Sequence, residues 1–170
     1  MDAYVAIVSR RDGKRYSGAP LPADVATRIL DAGRLAGSAM NRQPWRFLLV
    51  ESPALREEFA DCVYEPANVR TAGLVVALAG RGKGPVAFDC GRAAQSMLLA
   101  AWSQRVASTP NGIADRERAT ELLALGEDEQ LQVVLTFGLP ARRPDPESRT
   151  AAEWAASANR KALDEVVTTL

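Results

Sequence analysis

The chain has 170 residues, 47% of them hydrophobic, which is enough to bury a core; one compact domain spanning residues 1–170 is the expectation. Lys plus Arg and Asp plus Glu both total 21, so the net charge is zero and no long-range field favours nucleic acid or a membrane surface. There is no histidine, which removes Ser-His-Asp hydrolysis, a His-activated cysteine nucleophile and most zinc chemistry.

Cys62 and Cys90 are far apart and form no Cys-x-x-Cys, so a reduced, cytoplasmic protein is expected. The first apolar run is short and is followed at once by Arg10 and Arg11, unlike a signal peptide. No apolar stretch approaches the length of a transmembrane helix. An enzyme of this composition needs a cofactor to carry its reaction.

In chain order, Tyr4–Arg10 predicts a short helix and Pro22–Ala36 a longer one, with Pro22 near its start and Gly37 just past its end. Trp45–Glu51 predicts a strand and Pro53–Asp61 a helix with Leu55, Phe59 and Cys62 inward. Ala72–Ala79 is continuously apolar, as a central strand buried on both faces would be. Val86–Gln104 predicts a long helix, and its alanines, Gly91 and Ser96 allow close packing. Asp115–Leu125 predicts a surface helix with Asp115 as N-cap and Gly126 as stop. Leu131–Leu139 predicts a strand ended by Gly138 and Pro140. Arg142–Arg149 is Pro-rich and charged, Ala151–Ala158 suggests a short helix, and Glu165–Thr169 a final strand. Strands interleaved with helices fit an α+β or α/β layer fold.

The most informative segment is Ser38-Ala39-Met40-Asn41-Arg42-Gln43-Pro44-Trp45. It joins a helical pattern to a buried strand, and Pro44 stops any helix and holds Gln43 extended. Amide side chains fixed at such a junction can hydrogen-bond a planar heterocycle; an ordinary polar loop is the alternative. Arg10-Arg11-Asp12-Gly13-Lys14 precedes it, Gly91-Arg92-Ala93-Ala94-Gln95-Ser96 follows, and Asn159-Arg160-Lys161-Ala162-Leu163-Asp164-Glu165-Val166-Val167 closes the chain. Together and in this order, from about residue 4 to about residue 168, these pieces resemble the nitroreductase family of FMN-dependent oxidoreductases.

The resemblance implies a three-layer α/β/α sandwich of the α+β class, with a mainly antiparallel sheet. It also implies a homodimer whose long helix lies in the interface and whose C-terminal strand crosses to the partner's sheet. It implies that NAD(P)H reduces FMN and that the flavin passes electrons to a small electrophile, a nitroaromatic or quinone, in a ping-pong cycle. Flavin N5 carries the chemistry, and no side chain is expected as a catalytic group.

FMN needs cations at its phosphate, a Lys or amide near N1 and O2, and an open ring face. By resemblance, Arg10 grips the phosphate with Arg160, Arg11 and Asp12 flank the ribityl chain, and Lys14 sits by the pyrimidine edge. Ser38, Asn41 and Gln43 come from the other subunit. Asn68 falls where a polar contact to the ring edge is expected, and Pro110, Asn111 and Gly112 run past the ring. A solvated basic turn, a surface Arg160 and a plain loop asparagine at Asn68 are the alternatives. Gly80-Arg81-Gly82-Lys83-Gly84 follows a strand and precedes a helix, but its spacing matches neither phosphate-loop pattern and it is assigned no ligand.

The chain departs from the family at Asp12, where Ser or Thr is usual, at Ala158, where some relatives have a second cation, and at Ala162, usually Pro. Lid helices over the substrate are not evident. Two other readings stay open: a protein that stores FMN without turnover, and a same-fold enzyme that fragments flavin, removes halogen or serves deazaflavin metabolism.

Overall fold

The computed structural model describes residues 1–14, 16–140 and 145–170. Among these residues four strands form one antiparallel sheet: β1 (Trp45–Leu49), β2 (Leu74–Arg81), β3 (Ala107–Asn111) and β4 (Glu129–Gly138), in the order β1-β2-β4-β3. Among the described residues, seven α-helices surround it: α1 (Ala3–Ser9), α2 (Ala23–Arg34), α3 (Pro53–Ala60), α4 (Pro66–Thr71), α5 (Val86–Ser103), α6 (Arg116–Leu122) and α7 (Ala151–Ala156).

The period-two alternation of β2 divides the core into two. Leu74, Val76 and Leu78 pack with Ile29 of α2 and Ala93, Met97 and Ala101 of α5. Val75 and Ala77 point the other way, against Phe59 and Ala60 of α3, Val69 of α4 and Ala119 of α6. Every β2 residue except Arg81 is buried, as its continuous apolar run predicts. The result is the expected three-layer α/β/α sandwich around an antiparallel sheet. Among the described residues, no helix is long and apolar enough to cross a membrane.

Helix ends follow from local hydrogen bonding. Asp2 accepts from Tyr4 N–H at 2.9 Å, Asp115 from Arg118 N–H at 3.0 Å, and Thr150 with Glu153 closes a capping box. The helix predicted to run to Leu125 stops at Leu122, because Ala124 turns left-handed (φ 47°) ahead of Gly126.

Ala107–Asn111 form edge strand β3, which polar residues and Pro110 hide from pattern reading, and one predicted strand is corrected. No strand forms over Glu165–Thr169. Leu163–Glu165 make a 3-10 turn, and residues 161–170 are exposed, since a lone extended segment without a ladder partner has nothing to pair its backbone. Part of the Arg142–Arg149 stretch lies outside the described residues.

Candidate functional site

The site begins where α1 ends. Trp102 Nε1 of α5 donates to the fully buried Ser9 Oγ at 2.7 Å, which fixes the last turn of α1. The next residues leave the helix and lie against β3. Gly13 N–H donates to Ser108 O at 3.1 Å, and Thr109 Oγ1 donates to Gly13 O at 2.7 Å. A side chain at Gly13 would come within 2.7 Å of Ala107 Cβ, so this approach requires glycine.

The arrangement opens a pocket of about 240 Å³ lined by Asp12, Lys14, Tyr64, Glu65, Asn68 and the 109–112 segment. Six of the residues singled out in the sequence therefore meet on one wall: Asp12, Lys14, Asn68, Pro110, Asn111 and Gly112. Arg10 joins them through Asp12, whose Oδ1 accepts from Arg10 Nη2 at 2.7 Å. The other arm of that guanidinium, Nη1, is buried and has no hydrogen-bond partner among the described residues, and the same holds for Ser108 Oγ. Unpaired buried donors are costly, and a cation with a free arm beside a pocket suits an anionic or polyhydroxy group. Lys14 Nζ lies 3.6 Å from Glu65 in an exposed and therefore weak pair.

Beneath the pocket runs a buried chain of amides and hydroxyls. Asn68 Nδ2 donates to Asn111 Oδ1 at 2.7 Å. Asn111 Nδ2 in turn donates to Thr109 O, Val134 O and Thr136 Oγ1, at 3.0, 3.2 and 3.0 Å. Tyr16 Oη closes the chain 2.9 Å from Thr136 Oγ1, its phenol held above its usual pKa by burial. The chain fixes both side-chain amides in one orientation and makes the pocket floor rigid.

Arg11 is committed elsewhere. It donates to Val8 O, Arg10 O and Trp154 O and lies 5.4 Å from the Trp154 ring, so it ties α1 to α7. Arg160 is exposed and donates to Ala158 O at 2.9 Å. It follows Asn159, which adopts φ 48°.

Ser38, Asn41 and Gln43 sit at the other edge of the sheet, just before β1, whereas the pocket is built on β3. Three non-glycine residues in four there are left-handed: Met40 (φ 53°), Asn41 (φ 55°) and Gln43 (φ 50°). Gln43 N–H donates to Ser38 Oγ at 2.9 Å, and Ala39 N–H donates to Asp89 Oδ2 at 3.0 Å. Asp89, in the first turn of α5, is only 3% exposed. Gln43 is thus folded by left-handed geometry rather than held extended by Pro44.

Sequence reading missed Tyr64, Glu65 and Thr109 as wall residues and Asp89 as the loop's anchor. A lone carboxylate in the first turn of an otherwise apolar helix was the available signal for Asp89. Among the described residues, no acidic, histidine or cysteine group could hold a metal.

Comparison with known proteins agrees with this architecture. The family profile described as "Nitroreductase family" matches residues 7–86 and 79–139, which include the pocket but stop short of Arg160. The chain belongs to the Nitroreductase family of oxidoreductase enzymes. It is 27% identical over 169 residues to a Methanothermobacter thermautotrophicus protein named as a candidate NADH dehydrogenase/NAD(P)H nitroreductase, covering 91% of this chain and 88% of that one. A nitroreductase from Desulfovibrio desulfuricans, so named provisionally and solved in complex with FMN, superposes with a TM-score of 0.75 at 27% identity, over 90% of this chain and 95% of the other. A nitroreductase family protein from Clostridium difficile 630 superposes with a TM-score of 0.82 over 100% of both chains; at 20% identity it speaks to the fold alone.

Proposed function

We propose that this chain is an FMN-dependent oxidoreductase that takes electrons from NAD(P)H and delivers them to a small electrophile such as a nitroaromatic or quinone. The observation that carries the reading is the pocket beside β3, where Lys14 and the two oriented amides Asn68 and Asn111 converge and Arg10 is held next to them through Asp12. These groups suit FMN: Arg10 for the phosphate or ribityl end, Lys14 for the pyrimidine edge, Asn68 and the 110–112 backbone for the ring. The FMN bound by the Desulfovibrio relative supports the same assignment. When bound, FMN would supply two-electron redox chemistry.

The protein's own groups act by holding and tuning. Lys14 places a positive charge where the reduced cofactor is anionic, which favours reduction. Asn68, locked by Asn111, would meet the ring edge with little loss of side-chain entropy. Arg11, bound to α7, keeps Arg10 at the pocket rather than touching the cofactor itself.

We further propose a homodimer. Ser38, Asn41 and Gln43 lie at the opposite sheet edge from the pocket, so they serve a second copy's cofactor. The exposed apolar C-terminal tail, with Leu163, Val166 and Val167, fits a role against that copy. Arg160 would reach its phosphate in that assembly.

The test is the visible spectrum of purified protein under anaerobic conditions, before and after NADH or NADPH. A flavin spectrum that bleaches with either nucleotide is expected. Bound flavin that stays oxidised would turn the reading towards storage, and no flavin after incubation with excess FMN would overturn the cofactor assignment.

A further inference from the structure

The Gly80–Gly84 segment, which runs from the end of β2 towards α5, has no phosphate-loop spacing, yet folding gives it a neighbour that linear sequence conceals. Arg42, from the segment before β1, lies across it. A pocket of about 290 Å³ is walled by Arg42, Arg81 and Lys83, with Gln43 and the carboxylate of Asp128 completing it. We propose that this pocket binds a phosphate monoester dianion, specifically the 2′-phosphate of NADPH, and that the protein therefore prefers NADPH to NADH. The inference rests on the reductase reading above.

Three cations face one carboxylate in this pocket, in a chain whose overall charge is zero. Among the described residues, the side chains of Arg81 and Lys83 make no hydrogen bond or ion pair, so both are available to a ligand. Arg42 is already positioned. Its Nη1 donates to Lys83 O at 3.1 Å and its Nη2 contacts Met40 Sδ at 3.2 Å, leaving further N–H groups of the fork unused.

Gly84 makes that placement possible. It adopts φ +101°, and a Cβ there would lie 2.9 Å from Arg42 Nη1, so any side chain would displace the guanidinium. A preformed guanidinium with two mobile cations beside it is a suitable receptor for a doubly charged phosphate.

The surroundings indicate which phosphate. Gln43 belongs both to this wall and to the segment assigned to the cofactor, so the anion pocket adjoins the region where a nucleotide donor must dock. An adjoining pocket of about 300 Å³ shares Arg81 and Gly82 and extends to Phe88. Phe88 is 68% exposed, with the Arg92 guanidinium over its ring, 5.9 Å from the centroid. An exposed aromatic residue next to a cationic pocket, with Arg92 over one ring face, is suited to take an adenine on the other face beside its 2′-phosphate.

Isothermal calorimetry on the full chain tests this with three probes: adenosine 2′,5′-bisphosphate, 5′-AMP and inorganic phosphate. The bisphosphate should bind on the order of tenfold more tightly than 5′-AMP, the scale of one charge-assisted contact. The pair Arg81→Ala and Lys83→Ala should erase the difference; both side chains are exposed, so folding is not at stake. In steady-state kinetics the same variants should lower the ratio of kcat/KM for NADPH to that for NADH, whereas Arg28→Ala on exposed α2 surface should leave the ratio alone.

Equal binding of bisphosphate and 5′-AMP, or a difference that survives in the double variant, would overturn the proposal. Inorganic phosphate binding as tightly as the bisphosphate would reduce the pocket to a plain anion site and overturn the NADPH assignment. If neither nucleotide reduces bound flavin, the reductase reading fails, while the calorimetric comparison still decides the pocket.

Discussion

The two halves of the proposed cofactor site are built on opposite physical plans. The β3 half rests on a buried network that is saturated at its centre: Asn111 alone serves four partners, and Asn68, Thr136 and Tyr16 extend the chain to both sides. At its margin, Ser108 Oγ and Arg10 Nη1 have no partner among the described residues. The Ser38–Gln43 half is exposed and locally strained, with three left-handed residues and one buried carboxylate beneath it. A single chain builds the floor of the first half by itself. The second spends conformational energy to present amides outward, which is useful only if something outside this chain receives them.

If this contrast is right, the saturated half should fail hardest when a central member is removed. Asn111→Ala leaves Asn68 Nδ2, Thr136 Oγ1 and two backbone carbonyls with a lost partner inside the core. The expected loss of stability is about 4 kcal/mol, from several orphaned groups at ~1–3 kcal/mol each with partial relaxation. Urea unfolding followed by circular dichroism checks it. A loss below about 1 kcal/mol would show the network to be slack rather than saturated.

Beneath the strained half lies Cys90, fully buried and next in sequence to Asp89. Burial, and secondarily the Asp89 charge, push its thiol up to about 11. The folded state therefore holds the proton through a range where the unfolded thiol, near 9, has lost it. The associated stability is fully present below the unfolded value and is lost between pH 9 and 11, by roughly 1.4 kcal/mol per pH unit. Comparing denaturation midpoints of the parent and Cys90→Ala across that window isolates the effect, and native Cys90 should resist iodoacetamide at pH 8.

Asp89→Ala removes the acceptor for Ala39 N–H and should cost about 1–2 kcal/mol, with a larger relative loss of FMN retention because the loop loses its anchor. Asp89→Asn keeps an oxygen acceptor and should restore most of the retention. Equal FMN affinity in Asp89→Ala and the parent would remove Asp89 as a positioning residue.

The same contrast explains what could be read from sequence. The central strand, long helix and both core faces follow from apolar periodicity, so β2 and α5 were legible to within two residues. The pocket residues Lys14, Asn68 and Asn111 were legible only as members of motifs, because their convergence depends on Gly13 lying against β3. β3 itself was illegible: Ala-Ser-Thr-Pro-Asn has no apolar alternation, and β4 supplies its register. The partition of Arg10 and Arg11 was also hidden, since adjacent like residues differ only in what tertiary structure offers them. Trp154, more than a hundred residues away in sequence, decides it.

The smallest expected effect is the most direct probe of the strained half. Met40 is 83% exposed, so its side chain contributes little packing, yet it holds φ 53°. A left-handed non-glycine residue costs about 1–2 kcal/mol. Met40→Gly removes that cost but adds backbone freedom to the unfolded chain, worth roughly 0.5–1 kcal/mol in the other direction. The net should be a stabilisation of about 0.5 kcal/mol, visible as a small rise in the urea midpoint. FMN affinity should nevertheless fall, because a glycine at this position lets Asn41 and Gln43 leave the presented geometry. Stability and cofactor affinity moving in opposite directions is the signature of strain held for binding. If both rise together, the left-handed run is merely a poorly fitting loop, and the two halves of the site differ in exposure alone.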